Sequence, residues 1–231
     1  MTAAGTRKQR TKTLEQAYNA ILELILNGSI PPGAPLRLQE LSDNLGMSMM
    51  PIREALRQLE SSGLVEIVPH RGARVREISV VDLLDTYQTR ITLEGILCSR
   101  AAANFDGSNA RAAEAALARQ SEFLRQGDAI QARIAHKEFH YAIYGAAGST
   151  WMLRSIEQTW HNSERYRLAS ELDDDLLTTR RREHELMLET CVNHQPEQAY
   201  SALRAHLIST VAHIDKSVAK RLEILTAATC T

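Results

Sequence analysis

Four of the eight histidines in this chain stand at spacings that could bring their rings together. His136 and His140 are four residues apart in a stretch, Ile134 to Ala147, that reads as helix, so their rings lie one turn apart on one face. Two imidazoles so placed can chelate one ion. His184 opens an apolar stripe continued by Leu186, Met187 and Cys191, and His206 lies on a stripe with Leu203 and Leu207. A connection at 194–196 makes these two helices antiparallel neighbours, and 184 and 206, about ten residues either side of it, fall at the same height. An all-nitrogen donor set suits Zn, Ni, Cu or Fe better than Mg or Ca, with zinc or nickel foremost. Any one of the four rings read alone is a hydrogen-bonded core histidine. A catalytic reading, a metal-dependent hydrolase or lyase on the same four rings, needs an open metal position and a nearby base. The only acid between the pair, Glu138, points about 200° away from His136 on a helix.

A second set of residues could read DNA. In Leu41 to Leu59, the apolar residues Leu41, Leu45, Ile52, Leu56 and Leu59 would pack two short helices together across a turn at Gly46. Ser48 stands as an N-cap with Pro51 in the first turn of the second helix. Ser48, Met49, Met50 and Arg53 then project from the start of that helix, the part that meets base edges when such a helix enters a major groove. Arg53 could pair with guanine or with a phosphate. With Arg57, it could equally form a solvated helix face. Two short β-like runs follow, 64–68 and 73–76, joined by Pro69-His70-Arg71-Gly72. Glycine at 72 would let that tip approach a minor groove with His70 or Arg71 reaching in, although an ordinary hairpin turn reads the same way.

These residues resemble the DNA-binding signature of GntR-type transcription regulators: Ser48, Pro51-Ile52-Arg53-Glu54-Ala55-Leu56, Leu59, Gly63-Leu64 and Arg71-Gly72 all match. The resemblance implies a sequence-specific regulator bound to a double-stranded DNA operator, with Arg37, Ser48, Met50, Arg53, His70, Arg71 and Gly72 near the DNA. Met49 stands where the family often has Arg. The helical remainder is similar to the FCD ligand-binding domain of the FadR branch, which implies a homodimer that binds a small carboxylate effector at a divalent metal. His140, His184 and His206 match that branch's metal histidines, and His136 replaces its usual Asp. The branch's first-helix motif is matched by Arg90 and Glu94. Arg90 could grip a carboxylate bidentately, or the two could form an i, i+4 ion pair worth about 0.3–0.5 kcal/mol. Tyr87, Tyr144, His161, Arg165 and Tyr166 are further pocket candidates, and Trp151 and Trp160 read as core or dimer interface.

The elements that must position these groups follow from composition and pattern. At 231 residues, with 44% hydrophobic and 24% charged residues, the chain is long enough for a substantial core and is neither disordered nor fibrous. Its 5% aromatics, 11 Gly and 6 Pro favour helices over an all-β fold. The net charge of −1 hides an asymmetry. Residues 1–76 hold ten basic and seven acidic groups, +3, and residues 77–231 hold seventeen and twenty-one, −4. Gly and Pro punctuation thins at the same place. We expect a mostly α fold: a winged helix-turn-helix over 1–76, with its first helix at Leu14–Leu26, then an antiparallel all-helical bundle of about six helices over 77–231. The expected breaks fall at 104–108, 126–128, 147–149, 170–173 and 194–196. Arg7, Lys8, Arg10 and Lys12 could touch phosphate or form a solvated tail. Cys98, Cys191 and Cys230 form no CxxC pair, so no disulfide framework or thiolate zinc site is expected. With no apolar run of about 18 residues, a cytoplasmic location and no membrane contact are expected.

Overall fold

The computed structural model describes residues 3–69, 71–168 and 174–227, with side chains from residue 13 onward except 168, 174 and 175. The chain divides into two compact units, the first closing at Ser79 and the second opening at Val80.

In the first unit, α1 (Ala3–Leu26) is followed by β1 (Pro35–Leu36), α2 (Leu38–Leu45), α3 (Met49–Ser61), β2 (Val65–Val68) and β3 (Gly72–Val75). The strands form an antiparallel sheet in the order β1, β3, β2, with Glu66 opposite Arg74 and their side chains paired at 2.9 Å. The apolar stripe of α1 turns Ala17, Ile21 and Ile25 into a core shared with Leu36, Leu41, Ile52, Leu56, Leu59, Leu64 and Val75. Gly46 ends α2 in the left-handed region, φ 62°, and so allows the tight turn into α3. The winged helix-turn-helix is therefore as expected, with three differences. The two-residue strand β1 is too short to show a period-2 pattern. Ser48 occupies the N-cap with extended backbone but makes no side-chain cap bond. Helix α1 starts well before Leu14, and the side chains of Arg7, Lys8, Arg10 and Lys12 lie outside the described ones.

The second unit is built from α4 (Val80–Ala103), α5 (Gly107–Arg125), α6 (Ala129–Gly145), α7 (Thr150–Leu168) as far as Trp160, α8 (Asp174–Val192), α9 (Pro196–Ile214) and α10 (Lys216–Ala227). Residues from His161 onward in α7 belong to the first unit. Helix α4 is the centre: it packs on α6, α8, α9 and α10, while α5 pairs with α6 and α8 with α9. Asp106 starts α5 with a capping box, accepting from the backbone of Ser108 and Asn109, and Asp128 caps α6 through Gln131. Among the described residues this part holds seven helices rather than about six. The extra break is at Asp215, whose extended backbone ends α9 and whose carboxylate accepts from Ser217 and Val218 at the start of α10. The break expected at 170–173 lies outside the described residues. Of the two tryptophans expected in a core or dimer interface, Trp160 is buried in the core, and Trp151 is 77% exposed on the single chain and so is not a core residue.

Gly95 marks a close approach of α4 and α9: a Cβ added there would overlap the ring of Tyr200. Gly95→Ala gains about 1 kcal/mol of helix propensity but costs about 1–3 kcal/mol of overpacking. A net loss near 1 kcal/mol is expected in urea unfolding. A gain would mean that the Tyr200 ring swings clear.

Candidate functional site

The buried stripe of α6 runs Ala132, Ala135, His136, Phe139, His140, Ile143 and Tyr144, so two of its core-facing positions are imidazoles. His184 comes from α8 and His206 from α9. All four are less than 5% exposed, and their ligand atoms lie within 4.8 Å of one another. The Nε2 of His140 is 3.2 Å from that of His136 and 3.3 Å from that of His184. The rings of His184 and His206 have centroids 4.6 Å apart. For zinc held at about 2.0–2.1 Å by imidazole, a tetrahedron has nitrogen–nitrogen edges of about 3.3–3.4 Å. The His140–His136 and His140–His184 separations match that edge, and the full set within 4.8 Å offers four nitrogen donors of a kind that fits a divalent transition ion.

Around the rings lies a polar layer. Arg90 and Glu94 form a bidentate pair along α4, Nε to Oε1 at 2.5 Å and Nη2 to Oε2 at 3.0 Å, with side chains 3% and 0% exposed. The expected i, i+4 ion pair is thus present, but buried, so the roughly 0.3–0.5 kcal/mol of an exposed helical pair does not apply to it. Burial works against the Arg90 charge, yet Glu94 holds its pKa above the ordinary value. The Tyr144 hydroxyl donates to Glu94 Oε2 at 2.8 Å and lies 3.0 Å from His140 Nδ1. Burial, with Glu94 beside it, pushes the Tyr144 phenol well above its usual range, so it stays a donor. On the other side, His206 Nδ1 is 2.8 Å from Glu183 Oε2. Burial raises the Glu183 carboxyl, opposed by a Ser209 hydrogen bond and by Arg180. Trp160 lies between the two layers: its ring is 5.5 Å from His136 and 5.1 Å from His140, with the Arg90 guanidinium 4.6 Å from its centroid.

Tyr87 is buried on α4, with the Arg90 guanidinium 5.3 Å from its ring. His161 and Arg165 lie in the other unit, where Arg165 bonds Asn162 and the carbonyl of Arg76, and Tyr166 meets the backbone of Ser79. Glu138 is exposed and paired with Arg119 at 2.6 Å, as its position on the helix implied. It is no base for the cluster. Spacing did not single out Glu183 or the stacking position of Trp160. Glu183 lies at the same height as His206 across the 194–196 connection, the same signal that pairs 184 with 206.

In the first unit, Met50 and Met49 are 59% and 42% exposed at the start of α3, and Ser48 and Arg53 are exposed beside them. Arg37 precedes α2 and pairs with Glu40 at 2.7 Å, and Arg57 pairs with Glu54 at 3.0 Å. At the wing tip Arg71 is exposed and Gly72 has φ 84°, a conformation that favours glycine. His70 lies outside the described residues.

Comparison with known proteins places both units. Residues 13–75 match the family described as bacterial regulatory proteins, gntR family, and residues 85–209 match the FCD domain. A probable D-xylose utilization operon transcriptional repressor of Paenarthrobacter nicotinovorans is 35% identical over 155 residues, 67% of this chain and 68% of that protein. The HTH-type transcriptional repressor GlaR of Escherichia coli K12 is 28% identical over 218 residues, 90% of this chain and 99% of GlaR. The fold is shared with E. coli McbR/YncC, TM-score 0.78 at 23% identity, over 89% of this chain and 98% of that one. A putative GntR regulator from Rhodococcus sp. RHA1 shares it with a TM-score of 0.71 at 18% identity, over 92% and 97%. No described helix is long and apolar enough to cross a membrane. The chain belongs to the GntR family of bacterial regulatory proteins, and with its FCD domain it is a DNA-binding transcription regulator, not an enzyme.

Proposed function

We propose that this chain is a cytoplasmic, homodimeric repressor of the FadR type whose grip on an operator is set by a metal and a small carboxylate. The domain boundary falls at 76/77, with a DNA-binding part before it and an effector-binding and dimerising part after it. Each subunit would lay α3 in a major groove of double-stranded DNA. Met50 and Arg53 would face base edges, Arg37 and Ser48 the backbone, and the wing tip, His70, Arg71 and Gly72, the minor groove. His136, His140, His184 and His206 would hold one divalent transition ion, zinc or nickel. When bound, the ion supplies a positive Lewis-acid centre able to accept an anionic oxygen. On α4, Tyr87 and Arg90 are the effector contacts; Arg90 would meet a carboxylate while keeping Glu94. His161 and Arg165, sited in the other unit, carry no assigned contact to the effector.

The observation that carries this reading is the convergence of four buried imidazoles in one unit of a chain whose other unit is a winged helix-turn-helix. The repressor sense is supported by relatives named as repressors. Effector binding would shift the population between two dimer geometries that space the two α3 helices differently. Half-sites one helical turn apart are sensitive to that spacing.

Fluorescence anisotropy at matched salt should show preference for the DNA upstream of the chain's own gene over random DNA. Arg53→Ala should lower that specific affinity roughly 10–100-fold, in line with about 1–3 kcal/mol for a base contact, and leave metal binding intact. Equal affinity for both DNAs, or an unaffected Arg53→Ala variant, would contradict the assignment.

Metal removal gives a second test. Zinc at 100 times its dissociation constant should stabilise the chelator-treated protein by about 2.7 kcal/mol, and His140→Ala should abolish the gain. Small carboxylates should then raise the melting temperature only of the zinc-loaded protein. A carboxylate effect that persists after chelation would separate the effector from the metal.

A further inference from the structure

We infer that Tyr144 and Glu183 are positioning residues of the histidine cluster: each accepts the Nδ1–H of one histidine, His140 and His206, and so presets that ring's Nε2 lone pair towards the centre. The inference rests on the reading of the cluster as a metal site.

A phenol has one O–H, and Tyr144 gives it to Glu94 Oε2 at 2.8 Å. Towards His140 Nδ1, 3.0 Å away, its oxygen can only accept. That nitrogen therefore carries the hydrogen, and a neutral imidazole with Nδ1–H has a bare Nε2. At His206 the partner is a carboxylate, which also only accepts, so the same tautomer follows from Glu183 at 2.8 Å. The bare Nε2 of His140 is the atom that stands 3.2 and 3.3 Å from its two neighbours. Two of the four donors are thus aimed before any ion arrives, one by a phenol and one by a carboxylate.

This arrangement gives the Arg90–Glu94 pair a definite task. Glu94 accepts from Arg90 twice and from Tyr144 once. It fixes the direction of the Tyr144 O–H and, through it, the tautomer of His140. The charged pair on α4 is thereby tied by hydrogen bonds to a ring on α6, 50 residues away in sequence. Outer partners of metal-bound histidines commonly change metal affinity by about 10–100-fold.

The test uses the full chain and zinc in competition with a chromophoric chelator. Tyr144→Phe keeps the ring and removes the acceptor, and should weaken zinc binding by about 10–100-fold. Glu183→Met should do the same, while Glu183→Gln, whose amide oxygen still accepts, should restore near wild-type affinity. In parallel, 15N imidazole spectra of zinc-free protein should show Nδ1–H on His140 and His206, with His140 alone changing in Tyr144→Phe. Wild-type affinity and tautomer in Tyr144→Phe would overturn the proposal, even if its melting temperature falls. So would Nε2–H on either histidine in the wild type. If Tyr144→Phe does not fold, the Glu183 pair decides, since that side chain is partly exposed. Wild-type protein that binds no zinc would sink the metal reading, whereas the zinc-free spectra would still decide the positioning claim.

Discussion

Four imidazoles packed into the core of a helical bundle must each find partners for two ring nitrogens, and the rest of the second unit is arranged around that need. A buried polar group without a hydrogen bond costs about 1–3 kcal/mol in proteins, so four such rings are not a neutral way to fill a core. The outward nitrogens of His140 and His206 are met by Tyr144 and Glu183, and inward nitrogens face one another at separations suited to a shared cation. Helices α4, α6, α8 and α9 are held in register by this set as well as by their apolar stripes.

The constraint propagates to α4. Arg90 and Glu94 occupy core positions of that helix, and a buried ion pair is seldom favourable against well-packed apolar residues of similar size. Its retention makes sense where Glu94 has a further partner to orient, and Tyr144 is that partner. Trp160 adds an aromatic surface between the guanidinium and the imidazoles, excluding water from both. The close contact of Gly95 with Tyr200 brings α9, and His206 with it, near enough to α4 for the layers to meet.

Much of this was legible in the sequence, and the failures have physical causes. The i, i+4 pair on α6 and the equal heights of 184 and 206 are consequences of helical geometry and a short connection, so the convergence of four rings could be read before any coordinates. The helix-turn-helix was likewise marked by Gly46, Pro51 and an apolar set that had to be shared. Arg90 and Glu94 were ambiguous because i, i+4 spacing specifies contact but not burial. Glu183 is not marked by spacing, because neighbours one residue apart point about 100° apart on a helix and the apolar stripe of α8 runs through His184. The break at Asp215 was missed because its capping bonds to Ser217 and Val218 span only three residues inside an otherwise helical pattern. Ser48 shows that a capping residue type in a capping position does not ensure a capping bond.

If the four histidines act as one ligand set, X-ray absorption at the zinc edge of the full chain, loaded with one equivalent, will show a shell of four imidazole nitrogens at about 2.0–2.1 Å, with the outer scattering of histidine rings. A shell containing sulfur from Cys98 or Cys191, or oxygen without imidazole scattering, would contradict it.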